Sequence, residues 1–289
     1  MRLVSVEGDG APQAALLAGG QVVPLVEIDP SMPRDLTEIV KAWPSFRERL
    51  LAEGDPAPDA GTPVEEVKLA IPFEPTRVMG TGGNYSAHAA EMRSTSAAPK
   101  DPSAFLKLPG TTQGPDVPLQ LRDEDHFVDY EGEIAMVVGA PARDLDTDEA
   151  LDAIAGLMLA NDVSARDWPL PQITLAKGAP GFCPLGPWLV TLDELDLEAI
   201  EFSVEVNGEP RQSTTTATMI HNFVEILVSY SQAVPLEPGD VILTGTPGGV
   251  GIAQDPPVFL VPGDEIVVSS PQLGVLRTSV VAATGSLAG

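Results

Sequence analysis

The 289-residue chain contains one cysteine, Cys183, and three histidines, His88, His126 and His221. A single cysteine excludes an internal disulfide and a thiolate metal cage. It stands between Phe182 and Pro184 in an apolar run, so it reads as a packed small hydrophobe rather than a nucleophile. The histidines form no His-Glu-x-x-His pattern and no pair at ligand spacing, which argues against a histidine-built zinc site. Basic residues are scarce: 16 Lys and Arg stand against 42 Asp and Glu, for a formal charge of −26. Nucleic acid and anionic membranes both need a basic face, so neither is expected as a partner. No run reaches the roughly 18–20 apolar residues of a membrane helix. The first six residues read as a strand, without the apolar stretch or cleavage site of a signal peptide, so a cytoplasmic protein is expected. No Gly-x-Gly-x-x-Gly opens a helix, and the Gly-rich stretch 245–251 lacks the Lys-Ser/Thr of a phosphate-binding loop.

What is present is ample core material, with 43% hydrophobic residues. Short apolar runs at 3–6, 14–17 and 22–25 predict a small antiparallel sheet. Leu36, Ile39, Val40, Trp43, Phe46 and Leu50 recur at helical spacing and predict one helix over 35–52. A Pro/Gly-rich connector at 53–63 and a predicted strand at 67–72 place a domain boundary near residue 72. Residues 1–72 are thus read as a small β-rich N-terminal domain, and 73–289 as the main domain. Asp146, with Glu149 three residues on, predicts a capped helix running to Ala155 and stopped by Gly156. After residue 200 the pattern is mostly strands, interrupted by one helix marked by Phe223, Ile226, Leu227 and Tyr230. The fold class is α+β, mainly β. Residues 86–103, Ala-rich with few large anchors, read either as a lid over a site or as a surface loop.

The chemistry gathers around acidic residues. In Val128-Asp129-Tyr130-Glu131-Gly132-Glu133-Ile134, the two glutamates lead into an apolar run that predicts an internal strand. Residues two apart on a strand share a face, here about 6–7 Å apart. Two carboxylates entering an interior need a compensating charge, and a hard divalent cation supplies it. Spacing alone leaves open a second reading, a solvated strand end. Asp162, at the end of the apolar run 157–160, is a third carboxylate aimed at the same region. Lysine is rare, so Lys107 and Lys177 draw notice as contacts for an anionic substrate or a ligand carboxylate. His88 and Glu91 lie three apart on a predicted helix, where a carboxylate beside an imidazole makes a general base. An exposed helix pair is the competing reading.

Together these segments resemble the fumarylacetoacetate hydrolase superfamily from about residue 75 to 285. Asn84-Tyr85 with His88 and Glu91, Phe105-Leu106-Lys107, Asp129 to Glu133, Asn161 to Asp167, Pro184 to Pro187, Asn207-Gly208-Glu209 with Arg211-Gln212, and Pro238 to Thr246-Pro247 follow the family's order. The resemblance implies a mixed β-roll catalytic domain, usually a homodimer. It implies Mg²⁺ or Mn²⁺ on Glu131, Glu133 and Asp162, with Ca²⁺ also compatible. It implies a small anionic 2-oxo acid as substrate, with Tyr85, Lys107, Arg166, Gln212, Thr244, Gly245 and Thr246 as contacts. His88, Glu91 and Lys177 are the catalytic candidates. The expected reaction is hydrolysis of a C–C bond in an acylpyruvate through a metal-bound enolate. Decarboxylation of oxaloacetate, hydration or isomerisation of an unsaturated 2-oxo diacid, and non-catalytic acid binding are the alternatives. The sequence departs from the family at Pro180, where Asp commonly follows Lys, at Trp168 to Pro171, and at Thr215 and Thr218. These departures leave the substrate open.

Overall fold

The computed structural model describes residues 1–8, 10–53, 60–91, 100–122, 125, 127–168 and 172–283. It is α+β and mainly β. One large mixed sheet runs in the order Thr62–Pro63, Gln21–Pro24, Gln13–Ala18, Arg2–Val6, Cys183–Val190, Ile154–Asn161, Gly132–Val138, Asp240–Leu243, Arg77–Gly82, Ser103–Leu106. A five-stranded sheet orders Glu209–Thr215, Glu201–Val206, Glu265–Ser270, Gly274–Ala282 and Leu119–Leu121. A third, two-stranded sheet pairs Ser164–Ala165 with Val128–Asp129.

Strand Gly132–Val138 explains this architecture. Every one of its residues is buried, because both faces are covered. Ile134, Met136 and Val138 pack with Val204, Val206, Ile266 and Val268 of the five-stranded sheet. The intervening Ala135 and Val137 pack on the other face with Leu3, Leu36 and Trp43. That two-sided burial is why the segment reads as a continuous apolar run rather than an alternation. Each buried Ile or Met here contributes on the order of 2 kcal/mol by area. Across residue 72 the packing is continuous, since the N-terminal strands join the large sheet through Arg2–Val6 and Cys183–Val190.

Three local expectations change. The helix expected over 35–52 is two helices, Leu36–Lys41 and Trp43–Glu53. Pro44 lacks the N–H an unbroken helix would need, but it is tolerated in the first turn of a new one. The strand expected at 67–72 reduces to a bridge between Val6 and Leu69, directly after a 3₁₀ turn, Val64–Glu66. The Asp146 capping box forms, but its helix is only Thr147–Ala150, followed by a 3₁₀ turn, Leu151–Ala153. Gly156 does not stop a helix; it lies inside strand Ile154–Asn161, where two-sided burial overrides local helix propensity. No helix among the described residues is long and apolar enough to cross a membrane.

Candidate metal centre

Strands Gly132–Val138 and Ile154–Asn161 are antiparallel, with Gly132 opposite Asn161 and Glu133 opposite Ala160. The start of one strand therefore meets the end of the other. Glu131 and Glu133 enter this corner from one side and Asp162 from the other. All three are buried, and ligand oxygens of the three lie within 4.8 Å of one another. Backbone contacts lock the corner: Asp162 N–H donates to Glu131 O at 2.8 Å, and Glu131 N–H donates to Asn161 Oδ1 at 2.9 Å. Gly132 is required between the glutamates, since a Cβ there would stand 2.2 Å from Val204 Cγ2.

Three cations surround these carboxylates. Lys177 Nζ donates to Glu131 Oε2 and Asp162 Oδ2, each at 2.7 Å, and to Ser164 Oγ at 2.8 Å. Lys107 Nζ donates to Asp162 Oδ1 at 2.6 Å and Phe182 O at 2.8 Å. Arg166 donates to Glu131 Oε1 at 2.6 Å and to Asp129 Oδ2 at 2.9 Å. Among the described residues, Glu133 has no cationic partner and accepts only the Gly245 N–H, at 2.6 Å. Gly245 can aim that N–H because it adopts φ +99°, a conformation open to glycine.

The electrostatics follow. Burial opposes ionisation of Glu131, but Lys177 and Arg166 overcome it and hold its carboxyl below the usual range. Burial, then the charges of Asp162 and Glu131, push Glu133 well above its usual value. Burial disfavours charge on Lys177, but Asp162 and Glu131 raise it above an ordinary lysine. Counting Asp129, four buried carboxylates face three cations, and Glu133 is the one left without a balancing partner. Convergent carboxylate oxygens with one unbalanced charge are a donor set that fits a hard divalent cation such as Mg²⁺ or Mn²⁺.

The structure redistributes several expected roles. Lys107 is buried against Asp162 and does not face open space. Gln212 is spent on Gly132 N–H, Thr246 Oγ1 and Pro247 O. Thr244 Oγ1 donates to Ile134 O, Thr246 Oγ1 to Gly132 O, and the Gly245 N–H to Glu133. These four residues, expected to contact substrate, hold the 244–247 turn onto strand Gly132–Val138, because buried polar groups take the nearest partners. Arg166 and Lys177 grip the cluster carboxylates in the same way. Tyr85 is the exception. Its hydroxyl is buried and, among the described residues, has no hydrogen-bond partner, while burial and then Glu133 push its ionisation above the usual tyrosine range.

His88 and Glu91 share helix Ser86–Glu91 but do not pair. His88 turns inward; among the described residues its buried Nδ1 has no hydrogen-bond partner, and burial lowers its pKa against the opposing charge of Glu131. Glu91 is exposed and accepts the Gly249 N–H at 3.0 and 2.8 Å. The expected dyad is therefore absent from this arrangement. Of the expected lid, residues 92–99 lie outside the described residues. Asn84 anchors the start of this segment, donating to Thr244 O at 2.8 Å and His221 O at 2.9 Å.

Asp129, Asn161, Ser164 and Phe105, to which the sequence pattern assigns no role, also support the cluster. The Phe105 ring lies 5.2 Å from Lys177 Nζ, in cation–π contact. Ser164 gives Lys177 its third acceptor, so Pro180 does not leave the ammonium unsatisfied. All four sit inside recognised segments, which was the available signal.

The family model for the fumarylacetoacetate (FAA) hydrolase C-terminal region matches residues 77–281. The chain belongs to the fumarylacetoacetate hydrolase family. A full-length relative is oxaloacetate tautomerase FAHD2A, mitochondrial, of Bos taurus, 37% identical over 97% of this chain and 92% of that protein. Among solved members, the fumarylacetoacetate hydrolase of Exiguobacterium antarcticum superposes with a TM-score of 0.84 at 35% identity, covering 98% of this chain and 100% of its own. Maleylpyruvate hydrolase from Sphingobium sp. SYK-6, solved with manganese(II) and pyruvate, gives 0.79 at 26% identity with the same coverage. The chain is a family enzyme whose buried acidic cluster suits a divalent metal.

Proposed function

We propose that this enzyme interconverts the enol and keto forms of a small 2-oxo diacid of the oxaloacetate type, with a divalent cation held by Glu131, Glu133 and Asp162. One observation carries the reading: His88 is buried, its Nδ1 has no hydrogen-bond partner among the described residues, and it lies near enough to Glu131, Arg166 and Lys177 of the cluster to feel their charges. A bound Mg²⁺ or Mn²⁺ would supply Lewis acidity that favours negative charge on a 2-oxo oxygen. Lys177 and Arg166 keep Glu131 ionised, and Lys107 and Lys177 hold Asp162 in place. Tautomerisation moves one proton between carbon and oxygen of the same molecule. A single neutral base that takes the proton and returns it is sufficient. His88 is kept neutral by burial and can do this, while the unpaired Tyr85 hydroxyl can donate to a substrate oxygen. Hydrolysis asks for more, because water must be activated by a base that a carboxylate orients. Here Glu91 is committed to Gly249. The bovine relative's tautomerase name supports the same choice.

A second reading keeps C–C hydrolysis of an acylpyruvate, favoured by the likeness to maleylpyruvate hydrolase. The two separate in one assay. Decay of enol-oxaloacetate absorbance and cleavage of acetylpyruvate are followed with Mn²⁺, with Mg²⁺ and with excess chelator. Metal-dependent acceleration of the first, with slow or absent cleavage, supports tautomerisation. Cleavage alone would transfer the reading to hydrolysis, and chelator-insensitive turnover would remove the metal from both.

A further inference from the structure

Asp129 is fully buried two residues before Glu131. Both of its oxygens are saturated by donors. Oδ1 accepts the N–H groups of Tyr130 at 2.9 Å and Gly251 at 2.7 Å. Oδ2 accepts Ile252 N–H at 3.1 Å and Arg166 Nε–H at 2.9 Å. The same guanidinium reaches on to Glu131 Oε1 at 2.6 Å, while Lys177 holds the other oxygen of Glu131. A guanidinium is a rigid plane, so fixing its Nε end fixes the end that grips Glu131. Asp129 also seats the 251–252 turn, six residues beyond the Gly245 whose N–H meets Glu133. One buried carboxylate thus joins the supports on both sides of the cluster.

We propose that Asp129 is a positioning residue of the metal centre, acting through Arg166 to fix the Glu131 carboxylate in its ligand geometry. The inference rests on the metal site proposed above. An asparagine is nearly isosteric but cannot replace Asp129. Its amide nitrogen would face either the Tyr130 and Gly251 N–H groups or those of Ile252 and Arg166, and each choice sets donor against donor. It would also leave the Arg166 charge unbalanced beside a site for a dication.

The test is Mn²⁺ titration of the metal-free full chain, with free ion read by electron paramagnetic resonance and folding checked by thermal midpoint. Asp129→Asn is expected to weaken Mn²⁺ binding about 10- to 100-fold, the usual cost of losing an outer partner of a ligand. In an Arg166→Gln background the same substitution is expected to change binding by less than about threefold, because its route is gone. Equal affinity in wild type and Asp129→Asn overturns the proposal, as does an equal drop in both backgrounds. A lowered midpoint with unchanged affinity marks a structural role only and also overturns it. If Asp129→Asn does not fold, Arg166→Lys asks the same question, since one ammonium cannot span Asp129 and Glu131. Unchanged Mn²⁺ affinity in that variant overturns the inference. Absence of Mn²⁺ binding by wild type would remove the metal reading itself, a different failure.

Discussion

Replacing Glu133 by glutamine is predicted to do two opposite things, to stabilise the metal-free protein and to abolish metal binding. Glu133 lies among carboxylates whose ligand oxygens are within 4.8 Å. At that separation and an effective dielectric of about 20, two like charges repel by roughly 3–4 kcal/mol. Glu133 feels two such repulsions, from Asp162 and Glu131, partly offset by Lys177. A glutamine keeps an oxygen for the Gly245 N–H and turns a repelling oxygen into a donor. The expected net gain in chelator at mildly alkaline pH is about 1–3 kcal/mol, or roughly 2–5 °C in midpoint for a chain of this length. The pH dependence has a defined sign. A carboxyl whose folded pKa is raised holds its proton to higher pH in the folded chain than in the unfolded one. Metal-free wild type should therefore lose stability as pH rises from 4.5 through the raised value, and Glu133→Gln should lose less. Chemical denaturation across pH in EDTA measures this. A destabilised Glu133→Gln variant, or one that still binds Mn²⁺ with wild-type affinity, would contradict this charge balance.

Lys107→Met should lower metal-free stability by about 3–5 kcal/mol, since it strips the cation from a buried pair with Asp162; saturating Mn²⁺ should restore part of the loss in a thermal melt, and no restoration would contradict the charge count. His88→Gln should slow enol–keto exchange about 100-fold or more with Mn²⁺ affinity little changed, by analogy with other general bases. Because burial holds His88 below its ordinary value of 6.5, the acidic limb of the wild-type rate profile should fall below that pH. Glu91→Gln should leave exchange within about threefold of wild type, since a glutamine oxygen still accepts the Gly249 N–H; a loss as large as that of His88→Gln would restore the dyad.

The acidic cluster is legible in the sequence only in part from local physics. Glu131, Glu133 and Asp162 stand at the ends of long apolar runs, but spacing alone leaves a solvated strand end open, and the ordered family segments around the three residues decide between the two. The partners of Gln212, Thr244 and Thr246 were not legible. Their motif fixes the turn, but which acceptor each hydroxyl finds depends on pairing with a strand about 110 residues earlier. His88 and Glu91 show the limit of local spacing. Three residues on a helix make two side chains neighbours, yet burial drew one inward and a backbone N–H held the other outside. The break at Ala42 and the early end of the Asp146 helix arise similarly, from Pro44 and from sheet pairing that no short window contains.

Whether the three buried carboxylates hold one divalent cation decides the chemistry of this site. An anomalous-difference map from crystals grown with Mn²⁺ measures this directly. A single strong peak within coordination distance of Glu131, Glu133 and Asp162 is predicted, and it should vanish in Glu133→Gln. No peak there in wild type, or one elsewhere on this acidic chain, would contradict it.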